Sequence, residues 1–195
     1  MYGLAIHTSS PDLGLALSNF EEDQRSIILN LGRDLSSSLH THLLEFLKPQ
    51  TWKDLAFIAV AIGPGGFTGT RIGVVAARTL AQQLEIPLFG ISSLAAIAYG
   101  HSGTIAVQMP AQRGELYTAI YQDGIVLQPD SVMSAEQWAK SLEQYILDQR
   151  IEAESNQGQF VEGILAIAHQ RWQKGERPHW SEALPYYGQH PVEIS

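Results

Sequence analysis

The run Gly63-Pro64-Gly65-Gly66-Phe67-Thr68-Gly69-Thr70-Arg71-Ile72-Gly73 stands between the most apolar stretch of the chain, residues 55–62, and a long helical pattern. A glycine turn leading from a strand into a helix is where α/β proteins hold phosphates, because backbone N–H groups and the positive end of the helix dipole converge there. Glycines at 63, 65, 66 and 69 would let the backbone turn sharply and come close to a ligand or to a neighbouring segment. A Walker loop requires Gly-Lys before Ser or Thr, where this chain has Gly69-Thr70-Arg71. A dinucleotide fingerprint requires glycine where Thr68 stands and an acid about 20 residues on, where Gln83 stands. Neither signature is met. Gly63, Gly65, Gly66, Thr68 and Gly69 are therefore candidate cofactor-binding residues on position alone, and a purely structural turn competes with that reading.

Other chemistry is sparse. The chain has no cysteine, which removes disulfides, thiolate catalysis and thiolate metal sites together. His40 and His42 lie two apart in a helical pattern and so point to different sides, which does not suit a shared metal ion. Asp12, Glu21, Glu22 and Asp23 read as a solvated acidic region, and Trp52, Trp138, Trp172 and Trp180 as dispersed packing anchors. No Ser-His-Asp order or zinc motif is present. No catalytic residue and no metal ligand is assigned.

A formal charge of -8, from 12 basic and 20 acidic residues, offers no general attraction to a nucleic-acid backbone, so any RNA would be held by a partner. The opening residues lack the pattern of a signal peptide, and no apolar run approaches the ~20 residues of a membrane span. A cytoplasmic protein with no membrane partner is expected.

Residues 3–7, 14–18 and 26–31 form short apolar runs, the first two separated by the turn sequence Ser9-Ser10-Pro11-Asp12, which predicts an antiparallel meander. Helices are predicted over 36–48, 70–84, 92–99, 134–147 and 160–174, with strands over 56–62, 87–91, 104–109, 115–121 and 125–128. The order implies mixed sheets with helices on their faces, an α/β fold. Residues 1–101 read as a first lobe completed by the returning helix 158–175, residues 102–157 as a smaller second lobe, and 176–195 as a surface strap.

Two helices carry more apolar surface than one core face requires. In the helix over 70–84, Ile72, Ala76, Leu80 and Leu84 recur every four residues beside Val75, and read as the core stripe. Gly73, Ala77 and Ala81 form a second stripe of small side chains, which permits close approach of another helix. In the first helix, Leu35, Leu39, Leu43 and Leu47 form one stripe, with Leu44 and Phe46 beside it. Either the two helices pack on each other and the sheet, or Leu39, Leu43, Leu44, Phe46, Gly73, Ala77 and Ala81 form an interface with a second protein.

The block from Gly63 to Gly73, together with Ile86-Pro87-Leu88-Phe89-Gly90-Ile91-Ser92-Ser93-Leu94, closely resembles the bacterial TsaB (YeaZ) family of tRNA threonylcarbamoyladenosine biosynthesis. The resemblance extends to Leu4-Ala5-Ile6-His7-Thr8-Ser9, Arg113-Gly114-Glu115-Leu116-Tyr117 and Ala183-Leu184-Pro185-Tyr186, nearly the whole chain. It implies the actin-like ATPase fold shared with sugar kinases and heat-shock ATPases, with two RNase H-like lobes, the second reduced. It also implies a non-catalytic scaffold that pairs through helices of the first lobe with the catalytic paralogue TsaD, which modifies the adenosine next to the anticodon. TsaE would join the complex, TsaC would make the donor, and tRNA would be met through the complex. No cofactor of the chain's own is implied, with room for a nucleotide at the interface with the partner. Two departures stand out: His7 replaces the family's Asp, and Pro110-Ala111-Gln112-Arg113 lacks an acid where the family often has Asp-Ala-Arg. Both remove hard-cation ligands. The alternatives are an active ATPase or phosphotransferase, or an independent homodimeric binding module.

Overall fold

The computed structural model describes residues 1–154, 156–186 and 188; the end of the expected strap lies outside them. Three antiparallel strands open the chain: β1 (Tyr2–His7), β2 (Asp12–Ser18) and β3 (Gln24–Asn30). Helix α1 (Leu35–Leu47) leads to β4 (Leu55–Ala61), the glycine turn to α2 (Phe67–Leu84), and then follow β5 (Leu88–Ile91) and α3 (Ser93–Ala98). The sheet order is β3-β2-β1-β4-β5, with β4 parallel to both β1 and β5. Strands β1, β2 and β4 are buried nearly throughout, because helices cover both faces; their sequences accordingly run apolar without alternation.

A second sheet holds β6 (Thr104–Pro110), β7 (Leu116–Gln122), β8 (Ile125–Met133) and β9 (Gln149–Glu152), in the order β8-β7-β6-β9. Its antiparallel β6-β7-β8 meander and parallel β6/β9 pair repeat the pattern of β1, β2, β3 and β4. Between β8 and β9, α4 (Ala135–Leu142) starts at a capping box of Ser134 and Gln137 and ends five residues before the expected 147. Trp138 pins it to the sheet by donating from Nε1 to Gln108 Oε1 at 2.6 Å. Helix α5 (Val161–Gln173) returns to the first sheet, where Val161, Ile164, Leu165 and Ala168 close a core with Phe57, Phe89 and Ala59.

On the opposite face of the first sheet lie α1 and α2, over a core that includes Leu4, Ile6, Leu15, Ile58 and Val60. Here the facing of α2 is the reverse of the expected one. Val74, Ala77 and Ala81 are fully buried against the chain's own sheet, as is Gly73, while Ile72, Ala76, Leu80 and Leu84 are only half-buried and Val75 is 61% exposed. The reason is steric: a β-carbon at Gly73 would overlap the Thr8 hydroxyl, so the helix can lie this close to β1 only along its small-residue stripe. Phe46 likewise points into the core. Gly73, Ala77, Ala81 and Phe46 are thus residues of the chain's own interior.

Candidate functional site

The glycine turn is filled largely by the chain itself. Gly66 donates its N–H to the Ser9 carbonyl at 2.7 Å, and β-carbons at Gly65 and Gly69 would overlap the carbonyls of Ser9 and Thr8. Thr8 Oγ1 donates to the Gly69 carbonyl at 2.8 Å, and Thr70 Oγ1 to that of Gly66 at 2.9 Å. Gly63, with φ +97, is buried beneath Tyr186 and faces no open space. The turn's glycines therefore serve the close approach of α2 to the β1–β2 loop.

Beside that loop a cleft of about 890 Å³ remains, bounded by Ser9, Gly65–Gly69, the β6–β7 loop and Gln157. Of the expected cradle residues, Gly65, Gly66, Thr68 and Gly69 line it and Gly63 does not. Ser9 Oγ and Gln157 Oε1 are buried there without hydrogen-bond partners, so the cleft retains polar capacity. Its charged lining is Arg33, and no carboxylate lines it. That donor set does not suit magnesium, a hard cation that takes carboxylate oxygen. His7 is fully buried with both ring nitrogens unpartnered, and burial pushes its pKa down to about 4, so the ring is neutral at physiological pH. Among the described residues no cluster of three metal-ligating side chains occurs.

A groove of about 650 Å³ runs between α1 and α2, lined by Leu39, Leu43 and Leu44 on one side and Ile72, Val75, Ala76 and Leu80 on the other. Leu44 is 49% exposed and Val75 61%, and both line this groove. Three of the expected interface residues, Leu39, Leu43 and Leu44, thus meet here; the α2 contribution comes from the stripe that periodicity alone assigns to the core. The groove and the cleft share Ser36 and Ile72, so they adjoin.

Arg25 sets the angle of α1. Its Nη2 donates to the carbonyls of Leu47 and Lys48, each at 3.1 Å, at the C-terminal end of α1, while Nη1 is held by Asp23 at 3.1 Å. A cation that satisfies these orphan carbonyls fixes the helix end against β3.

Two mixed sheets of matching strand topology, each flanked by helices, define an actin-like ATPase fold. Solved structures agree. YeaZ from Pseudomonas aeruginosa superposes with a TM-score of 0.74 over 96% of this chain and 100% of that one, at 22% identity. A second Pseudomonas aeruginosa chain, described as similar to peptidase YEAZ, gives 0.77 over 96% and 99%, also at 22%.

The family model of TsaD, tRNA N6-adenosine threonylcarbamoyltransferase, matches residues 36–159. The chain belongs to this family, and its curated relatives place it on the TsaB (YeaZ) side of it. It is 37% identical over 153 residues to the tRNA threonylcarbamoyladenosine biosynthesis protein TsaB of Bacillus subtilis, covering 72% of this chain and 66% of that protein. With the Escherichia coli TsaB it shares 31% over 134 residues, covering 61% and 54%. The matched stretches thus span between about half and two thirds of those relatives. Among the described residues no helix is long and apolar enough to cross a membrane.

Proposed function

We propose that this chain is a non-catalytic, cytoplasmic subunit of the machinery that makes threonylcarbamoyladenosine in tRNA. It binds and orders the catalytic paralogue TsaD through the groove between α1 and α2. The observation that carries this reading is the juxtaposition of exposed Leu44 and Val75 over half-buried Ile72, Ala76 and Leu80. Two parallel rows of apolar side chains with a furrow between them fit the ridges of a partner helix. The net charge of -8 favours tRNA contact through the complex over direct binding. The carboxylate-free cleft supports a chain that contributes no metal chemistry of its own.

Because groove and cleft adjoin at Ser36 and Ile72, a partner seated on the groove would border the cleft. Ser9 Oγ and Gln157 Oε1 could then meet a nucleotide enclosed at that interface. TsaE is the further member expected in the assembly, and the same groove would support a homodimer when TsaD is absent.

Reconstitution of threonylcarbamoyl transfer with TsaD, TsaE and the donor, with and without this chain, tests the proposal. Activity that requires the chain supports it, and full activity without the chain overturns it.

A further inference from the structure

Another cavity, of about 740 Å³, lies on the α3-facing side of the second sheet, bounded by α3, α5 and the β7–β8 hairpin. Tyr99, Tyr121, Tyr186 and Asp130 line it. Tyr121 donates its hydroxyl to Asp130 Oδ1 at 3.1 Å, and Tyr186 donates to the Asp130 backbone carbonyl at 2.9 Å. Among the described residues no cation lies within ion-pair distance of this carboxyl.

The basic groups that share the wall are already engaged. Arg171 is paired with Glu176 at 2.8 Å and sits over the Phe89 ring, and His101 Nδ1 is hydrogen-bonded to Gln149 Oε1 at 2.9 Å. Asp130 is thus a partly buried acid whose carboxyl is supported by the neutral Tyr121 hydroxyl, with an open cavity beside it in place of a counter-charge. Burial pushes its pKa up, the direction that an incoming cation would reverse. Tyrosine ring faces are electron-rich and attract ammonium groups, and several rings around one carboxylate form a receptor for them. The volume suits a small ligand.

We propose that this cavity binds a small aliphatic ammonium ion, with Asp130 as its counter-charge and the rings of Tyr99, Tyr121 and Tyr186 about its methylene groups.

Calorimetric titration of the full chain with putrescine, spermidine and choline, each at moderate salt, tests this. Saturable binding of at least one probe is expected. Asp130→Asn should weaken it by about tenfold or more, equivalent to about 1.4 kcal/mol, through loss of the counter-charge. Tyr99→Ala should also weaken it several-fold, and because Tyr99 is 43% exposed this variant keeps the fold and provides an independent readout. Glu136→Gln, on α4 and outside the cavity, should leave affinity unchanged. Absence of saturable binding overturns the proposal. So does binding that neither Asp130→Asn nor Tyr99→Ala alters, since that would be general attraction to an acidic surface.

Discussion

Thr8 and Gly73 are in direct contact across the β1–α2 packing, and the threonine hydroxyl occupies the space a β-carbon at position 73 would need. The same hydroxyl donates to the Gly69 carbonyl, one turn earlier in the helix. Gly73→Val should therefore force α2 away from the sheet and destabilise the chain by about 2 kcal/mol or more, an overpacking cost. Chemical denaturation of the two proteins checks it; equal stability would mean that α2 does not lie as described.

Ala77→Glu should fail at the same level. Ala77 is fully buried beside Val60 and Ile58, so a carboxylate there has neither room nor a partner. Loss of soluble folded protein is expected, measured by circular dichroism and gel filtration.

Arg25 ties α1 to the sheet through the carbonyls at the end of that helix. Arg25→Met should cost about 2 kcal/mol, the scale of charge-assisted hydrogen bonds. Arg25→Lys should recover little, since a single ammonium cannot span the Asp23 carboxylate and the carbonyls together. Thermal unfolding distinguishes the two variants from the parent.

His7 makes stability depend on acid. Its folded pKa of about 4 lies below the unfolded value of about 6.5, so the unfolded chain takes up the proton first. The contribution is complete above about pH 6.5 and is lost as pH falls through about 4. Between pH 7 and pH 4.5 the parent should lose about 2.4 kcal/mol more than His7→Leu. Urea midpoints at the two pH values measure the difference.

Strands β1 to β8 were legible because each is an apolar or alternating run bounded by turn residues, as Ser9-Ser10-Pro11-Asp12 bounds the first pair. Strand β9 was not. Gln149-Arg150-Ile151-Glu152 has one apolar side chain, and it becomes a strand only because the edge of β6 offers it a parallel partner. In α2 the periodicity revealed two apolar faces but carried no sign of which is inward. The large side chains suggested a core, yet the distance to β1 is set by Thr8, distant in sequence, and admits only glycine and alanine. The cavity at Asp130 was also hidden, since Ser92, Tyr121 and Tyr186 come together only in the fold.

Titration of TsaD with the parent chain and with Leu44→Glu/Val75→Glu tests the central claim most directly. Both side chains are exposed, so the variant should keep the parent's unfolding temperature. A Kd at least about 100-fold weaker is expected if they anchor the interface. An unchanged Kd with an intact fold would contradict the assignment of the α1–α2 groove as the docking surface.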